Sequence, residues 1–452
     1  MMMTKFKISI RLISILLVLA LTGVNCSKQA ADETTGRTAP LLEGMGDLHH
    51  AITTKSEMAQ RFFDQGLVLS YAFNHKEAER SFREAARLDP DCAMAYWGAA
   101  LVLGPNINAA MADAEILNAY SAIQKALSLA PKANEKEQAF INALSKRYAE
   151  NPPADRMPLD EAYAEAMREV AQKYPDDPDA AALLAEALMD LHPWKYWELD
   201  GSPKPWTPEI VSTLESGLQK WPKHPGFNHF YIHAVEASPN PERAMVNADL
   251  LGNLAPNAGH LVHMPAHIYI RTGRYYDAIL ANERAIAADS SYITQCHAQG
   301  MYPVMYVPHN HHFLSVAATF GGNSAKALDA ARHMAMHQDQ KLMREPGYGT
   351  LQHYMMIPLY AMIKFGKWNE ILQEAKPDSD LLYPLGVWHF SRGMAYTRTN
   401  QLAQAAARTR AIKNHRRRHL AEESDNLGYQ HDVRFIANCR RNAERRVGRE
   451  KG

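Results

Sequence analysis

The sequence predicts an all-α protein built as a solenoid, in which antiparallel helix pairs stack on one another. Two observations support this fold class. Prolines close successive units of similar length, and Pro222 and Pro256 lie 34 residues apart. The strict alternation of apolar and polar residues that is typical of β-strands is scarce. A chain of 452 residues, 46% of them hydrophobic, can bury a large core, and its length favours several domains or an elongated repeat array.

The first repeat begins near Ala59 and follows the 34-residue tetratricopeptide pattern. Small residues let two antiparallel helices approach closely, aromatic residues fill the space to the next pair, and a proline ends the second helix. The residues at these places are Phe62, Gly66, Leu69, Ala78, Phe82, Ala85 and Pro90. This unit predicts the repeat type for the rest of the solenoid, a right-handed superhelix.

Later repeats keep the same landmarks with insertions between them. Ala119, Ile123, Ala126 and Pro131 repeat the second-helix pattern 41 residues on. The unit from Gly259 to Tyr292 keeps the full repeat length. Weaker pairs are predicted at Phe313–Met334, Tyr354–Ala375 and Phe390–Ile412.

The first residues predict a secretory signal. A positively charged start is followed by the apolar run Leu12–Leu21, which is too short to cross a bilayer as a helix. Cys26 then precedes a polar stretch, and this order resembles a bacterial lipoprotein signal, in which the cysteine is lipidated. The residue before it is Asn25, where that pattern has a small residue. We therefore expect an exported protein of the periplasm or cell envelope, with Cys26 as its lipid anchor.

The predicted organisation has four parts, which are a signal peptide at 1–25, a polar linker at 26–57, the solenoid at 58–407 and an arginine-rich tail at 408–452. We expect the tail to be frayed or disordered because it loses apolar periodicity. Lys plus Arg and Asp plus Glu each number 49, so the balanced charge gives no electrostatic case for nucleic acid as a partner. Contact with a membrane is predicted only through the lipid anchor.

Histidine is the compositional outlier, with 21 copies, and seven of them fall in register. The second, fifth and ninth places of the first helix of a repeat line the concave groove of the solenoid, because residues three and four apart share a helix face. Numbering each unit from its other landmarks puts these histidines at those places: His229, His233, His260, His263, His267, His309 and His312. We predict that they project into one stretch of groove.

Three interpretations of this set stay open, which are a metal site, metal-free acid–base chemistry, and a polar network that binds a peptide or is structural. His229, His233 and Glu236 on one helix would suit Fe, Zn or Mn, whereas His263, His267 and His312 would suit Zn or Cu. The HExxH, GxSxG and Walker A signatures are absent. Seven histidines lie off this stripe and are predicted to be ordinary surface residues: His49, His50, His75, His224, His415, His419 and His431.

Other groove residues are candidates for ligand contact. Glu186 takes the ninth place of an earlier first helix, and His353 takes the second place of a later one. The segment His192–Trp206 is rich in Trp and Pro and predicts a long ordered loop. Its Trp194 and Trp197 either pack onto the solenoid or stack against a ligand.

At these residues the chain resembles a family of bacterial tetratricopeptide-repeat proteins. The matching segments are HPWKYWELDGSPKP, HPGFNHFYIHAVEASPNPERA, GHLVHMPAHIYIRTGRYYDAILANERAIAADSSYI and YVPHNHHFL. Relatives carry Met and Asp where this chain has His192 and Lys195, and the arginine-rich end departs from the pattern. The resemblance implies the fold and an envelope location and supplies no reaction.

The function that we expect is a scaffold that binds a protein, peptide or other ligand in its concave groove, where the histidines hold a transition metal (Zn, Fe, Mn or Cu). The alternative is a metal-dependent hydrolase or oxygenase with the same histidines as its active site. A buried pocket beside an open metal position would favour the enzyme, and a long open groove would favour the scaffold.

Overall fold

The computed structural model describes residues 36–298 and 302–423, with side chains as far as residue 413. Within this part of the chain, residues 39–298 and 302–423 belong to one compact unit, which begins after Thr38. The predicted signal peptide, Cys26 and residues 424–452 lie outside the described residues.

The described chain is all-α, as predicted, and its helices pack against their sequence neighbours as pairs. It contains no β-strand in these residues, only two isolated bridges. In chain order the helices are α1 Glu57–Tyr71, α2 His75–Leu88, α3 Ala93–Leu101, α4 Ile116–Leu129, α5 Glu135–Ser145, α6 Met157–Lys173, α7 Pro178–Asp190, α8 Thr207–Lys220, α9 Pro225–Val235, α10 Met245–Leu254, α11 Gly259–His263, α12 Pro265–Arg271, α13 Tyr275–Cys296, α14 Val307–Phe320, α15 Ser324–Met336, α16 Gly349–Lys364, α17 Trp368–Gln373, α18 Leu382–Arg398 and α19 Leu402–Glu423.

The landmark residues of the first repeat act as the pattern requires. The ring of Phe82 on α2 lies so close to Gly66 on α1 that an added Cβ would approach it to 2.7 Å. Gly98 on α3 meets the same ring from the other side. Small residues on two helices therefore admit one buried aromatic side chain between them.

The helix pairs also make contacts across the groove. α1 packs against α9, and Arg80 on α2 donates a hydrogen bond of 3.2 Å to the carbonyl of Cys296. Asn108 donates one of 3.2 Å to the hydroxyl of Tyr306, just before α14. The extended segment 39–56 runs along α1, where Asp64 accepts a hydrogen bond from the amide of His50. The groove between these elements is consequently enclosed rather than open.

The C-terminal part differs from the prediction. α19 runs through the predicted boundary at residue 408 and continues to Glu423. Ala405 and Ile412 are buried and lie seven residues apart, so one apolar stripe holds this helix against α18. Among the described residues, no helix is long and apolar enough to span a membrane.

Candidate functional site

Six of the seven histidines predicted to line the groove form one cluster. They divide into two sets of three, and within each set the candidate ligand atoms lie within 4.8 Å of one another. We call them the first trio (His229, His233 and His260) and the second trio (His263, His267 and His309). The five members on α9, α11 and α12 are buried, with 0–6% of their surface exposed. A partner peptide could not contact their ring nitrogen atoms at that exposure.

The first trio joins α9 to α11. Nδ1 of His229 donates a hydrogen bond of 2.6 Å to the backbone carbonyl of Tyr71, so Nε2 of the neutral ring carries the lone pair. That Nε2 lies 3.1 Å from Nε2 of His260. Nε2 of His233 and Nδ1 of His260 are buried without a hydrogen-bond partner among the described residues. Unpartnered buried nitrogen atoms are costly, which marks this trio as a ligand site candidate.

The second trio joins α11 and α12 to α14. Nδ1 of His263 donates to Oδ1 of Asn282 at 2.7 Å, and the amide of Asn282 is oriented because its Nδ2 donates to the carbonyl of Ala278. Nδ1 of His267 donates to the carboxylate of Glu236 at 2.7 Å. When both rings are neutral, Nε2 of each carries the lone pair, and these two atoms lie 2.9 Å apart. Two lone pairs at this distance repel each other unless a cation or a proton lies between them.

Glu236 connects the trios. Its two oxygen atoms accept hydrogen bonds from His233 Nδ1 at 3.1 Å and His267 Nδ1 at 2.7 Å. Burial alone would raise the pKa of this carboxyl, but the neighbouring His267 and His233 lower it well below its usual value. A carboxylate that orients metal-binding imidazoles through Nδ1 is a common outer ligand shell. The predicted role of Glu236 as a direct ligand would use the set His233, Glu236 and His267, whose atoms also lie within 4.8 Å of one another.

Aromatic side chains enclose the cluster. The ring of Phe73 lies 4.7 Å from that of His229, and the ring of Phe313 lies 4.4 Å from that of His267. Phe73 occupies the tight turn between α1 and α2 with a φ of 56°, a conformation that bulky residues rarely adopt. Burial lowers the pKa of the cluster histidines His229, His233, His260, His263 and His309. Neutral imidazole is the form that binds metal ions.

The two tryptophans predicted to contact a ligand have different roles. Trp197 donates an indole hydrogen bond of 2.7 Å to the carbonyl of Ala234, which fastens the loop to α9. Trp194 reaches the cluster, where its ring stands edge-on to that of His233 at 5.0 Å. Its side chain is 50% exposed and its φ is 62°. Trp194 is thus a strained aromatic residue between solvent and the first trio.

The predicted third ligand His312 is replaced by His309. The ring of His309 lies 4.8 Å from that of His263, whereas His312 packs against His353 at 5.8 Å. His353 in turn bonds the hydroxyl of Tyr383 through Nδ1 at 2.7 Å. The register of α14 differs from the predicted one because of the insertion that precedes this helix. The insertion extends α13 to 22 residues, and the chain then enters α14 through a π-helical turn at Tyr302–Tyr306. A turn with i→i+5 hydrogen bonds is wider than an α-helical turn, and it therefore shifts the face of the helix that follows.

Glu186 belongs to a different network. It lies near Asp190 on α7 and near the buried guanidinium of Arg147. Burial and the charge of Asp190 raise the pKa of Glu186 to about 8. Burial likewise raises the pKa of Asp190 to about 7, against the opposing effect of Arg147. This carboxyl pair is separate from the two trios.

The prediction of surface histidines was wrong for His50 and His224, which are 6% and 5% exposed. Both bond the buried carboxylate of Asp179, His50 through Nδ1 at 2.7 Å and His224 through Nε2 at 3.1 Å. The hydroxyl of Tyr71 donates to the same carboxylate at 2.6 Å. The segment 39–56 covers this place, and no repeat pattern predicts how that segment packs. His49 is exposed, as expected.

Sequence reasoning missed several residues that shape the cluster, namely Tyr71, Phe73, Asn282, Tyr306 and Phe313. Phe73 could have been recognised from the sequence, because a tight turn between helices favours a small or polar residue and this one has a phenylalanine. Asn282 is a polar residue on the buried face of α13 and was a second signal. The role of the backbone carbonyl of Tyr71 as a hydrogen-bond acceptor could not be predicted from the sequence, because every residue has such a carbonyl.

Fold and site together define an α-solenoid of tetratricopeptide type with a buried histidine cluster. The chain is similar to human IFIT1 in its dimer with m7Gppp-AAAA at 14% identity, with a TM-score of 0.37, over 88% of this chain and 90% of that one. It is similar to yeast Tom70 at 12% identity and a TM-score of 0.30, over 88% and 90% of the two chains. The P58(IPK) TPR domain matches at 14% identity and a TM-score of 0.20, over 87% and 99%. No protein-family model and no curated protein matches this sequence.

Proposed function

We propose that this solenoid binds a transition-metal ion through the imidazoles of its buried histidine cluster. The observation that carries the proposal is the 2.9 Å approach of Nε2 of His263 to Nε2 of His267, with Nδ1 of each ring already donating to a carbonyl or carboxylate oxygen. A tetrahedral ion with metal–nitrogen bonds of about 2.0–2.1 Å holds neighbouring nitrogen atoms about 3.3 Å apart. If the two rings moved slightly further apart, the ion would therefore fit between these nitrogen atoms.

The chemistry of the donor atoms narrows the choice of metal. Imidazole suits zinc, copper and iron, whereas manganese favours oxygen ligands. The inward-facing atoms of both trios are nitrogen atoms, and Glu236 faces the outer Nδ1 atoms. Zinc, copper or iron is consequently the better fit, and the manganese alternative depends on Glu236 turning inward.

The test is the metal content of the full chain, purified without an affinity tag and measured by elemental mass spectrometry. We expect at least near-stoichiometric metal, and loss of the ion bound by the second trio when His263 and His267 are both changed to Ala. His49→Ala is the matched control, because His49 is exposed and bonded to Asp64. If no metal is present, and none binds after incubation with Zn²⁺ or Cu²⁺, the proposal fails and a polar network or acid–base role is left.

A metal-dependent hydrolase or oxygenase would use the same cluster, since a tri-imidazole site leaves a coordination position for water or substrate. The half-exposed Trp194 beside His233 supports this second candidate by marking a route from solvent. Turnover of ester, phosphoester or oxidisable test substrates that depends on added metal and is lost in His263→Ala would support it. A protein or peptide partner in the concave groove stays a prediction.

Family membership and cellular location belong to the same proposal. The histidine segments support membership of the bacterial tetratricopeptide family, and the run Leu12–Leu21 followed by Cys26 supports export with a lipid anchor. Fractionation of cells that express the full chain would test the location. Cys26→Ala should move the protein from the membrane to the soluble fraction, and an unchanged distribution would argue against lipidation.

A further inference from the structure

The cluster contains two separate places where imidazole nitrogen atoms converge. One is the 3.1 Å approach of His229 Nε2 to His260 Nε2 in the first trio, and the other is the 2.9 Å approach of His263 Nε2 to His267 Nε2 in the second. Each approach has a third imidazole within 4.8 Å, namely His233 for the first and His309 for the second. Three imidazoles with one open position are a complete catalytic-type metal site.

One ion cannot account for both places. An ion in the second trio would separate the lone pairs of His263 and His267 but would leave Nε2 of His233 buried and unpartnered in the first trio. An ion in the first trio would leave Nε2 of His263 and Nε2 of His267 at 2.9 Å, with only a proton to separate their lone pairs. Since unpartnered buried polar atoms are destabilising, one cation in each trio would satisfy both places.

The outer contacts are also duplicated. The first trio has the carbonyl of Tyr71 behind His229, and the second has Oδ1 of Asn282 behind His263. Glu236 serves both, with one oxygen atom on His233 and the other on His267. The rings of His233 and His267 lie 5.4 Å apart, so the two trios are adjacent. Such partners fix which ring nitrogen faces the metal.

We propose that the cluster is a dinuclear centre that holds one transition-metal ion in each trio, with Glu236 as the shared outer carboxylate. This inference rests on the proposed function and specifies it. Each site would be built from three imidazoles beside an aromatic ring, Phe73 or Phe313, and would leave one open position for water.

The experiment is a titration of the chelator-treated full chain with Zn²⁺, with bound metal measured after equilibrium dialysis. We expect two ions per chain in the wild type. We expect one ion in the double variant His229→Ala with His260→Ala, and one ion in His263→Ala with His309→Ala. Saturation of the wild type at one ion would overturn the dinuclear centre while leaving the proposed function intact. Absence of any binding would overturn both.

Two further measurements test whether both ions bind in the cluster and lie next to each other. The exposed His333 on α15 and His337, the residue that follows this helix, are the matched control, and changing both to Ala should leave two ions bound. Loss of one ion in that control would place the second ion on the surface and overturn the inference. Electron paramagnetic resonance of the wild type with Cu²⁺ needs no variant. A magnetically coupled pair is expected, and two independent mononuclear signals would contradict adjacent sites.

Discussion

The carboxylate of Glu236, which caps the end of α9, accepts a hydrogen bond of 2.7 Å from Nδ1 of His267 on α12. The other oxygen atom accepts one of 3.1 Å from Nδ1 of His233. One buried anion therefore sets the orientation of rings on two different helices. Both rings must turn Nε2 towards the centre of the cluster, which ties ligand geometry to a residue that need not touch the metal.

Glu236→Gln should weaken metal binding by about 10–100-fold, the usual effect of removing an outer-shell partner. Glutamine offers one acceptor oxygen in place of two, and its amide group would face an N–H of His233 or His267. Competition for Zn²⁺ with a chromophoric chelator measures the change. Glu242→Gln, an exposed residue of the same region, is the control. Equal affinities of the wild type and Glu236→Gln would contradict the orienting role.

Trp194→Gly should speed metal exchange by on the order of tenfold, because a lid residue controls access to an enclosed site. Glycine also adopts the φ of 62° without strain, which offsets part of the stability lost with the buried half of the indole ring. The rate of Zn²⁺ loss to excess chelator measures the effect. Leu199→Ala is the control, since Leu199 lies on the same loop and is fully exposed. Unchanged exchange would mean that Trp194 does not cover the route.

Arg147→Met should lower the free energy of unfolding by about 3–5 kcal/mol, the cost of removing one partner from a buried ion pair. Arg147 is 2% exposed and donates to Asp190 at 2.7 Å and Asp160 at 3.3 Å. Urea denaturation measures the difference. Arg168→Met, which removes a surface ion pair with Glu209, should cost about 1 kcal/mol or less. Similar losses in both variants would refute the buried-pair argument.

Glu186→Gln should reduce the dependence of stability on pH. The pKa of Glu186 is raised to about 8 from 4.5, so the folded state binds a proton more tightly than the unfolded state. Its contribution to stability is complete below about pH 4.5 and is lost as the pH rises towards 8. Between pH 5 and pH 8.5 the wild type should lose roughly 1–3 kcal/mol more than the variant.

Thermal and urea unfolding at the two pH values would measure this difference. Glu169→Gln, on the exposed face of α6, is the control and should follow the wild type. If the wild type and Glu186→Gln lose stability in parallel, the carboxyl group of Glu186 is not protonated in the folded state at pH 5.

The repeat spacing was enough to place four cluster histidines from sequence. His229 and His263 are 34 residues apart, as are His233 and His267, and this interval maps each onto the same helix face. Register is preserved because no insertion separates those repeats. His309 and His312 follow an insertion, and the π-helical turn before α14 changes which of the two faces the cluster.

The repeat pattern of the sequence could not predict contacts between distant segments. The burial of His50 depends on how residues 39–56 lie along α1, and those residues belong to no repeat. The proximity of Tyr71 to His229 depends on the curvature accumulated over the intervening helix pairs. Curvature is a sum of small rotations between repeats, and single residues do not encode it.

The hydrogen bond from His229 to the carbonyl of Tyr71 spans 158 residues of sequence. In a linear solenoid each repeat contacts only its neighbours, so the array can unravel from either end. Here the first helix is fastened to α9, and loss of the first repeat would open the first trio. We therefore expect the array from α1 to α9 to fold and unfold as one cooperative body, with slow closure because the contact that completes it is non-local.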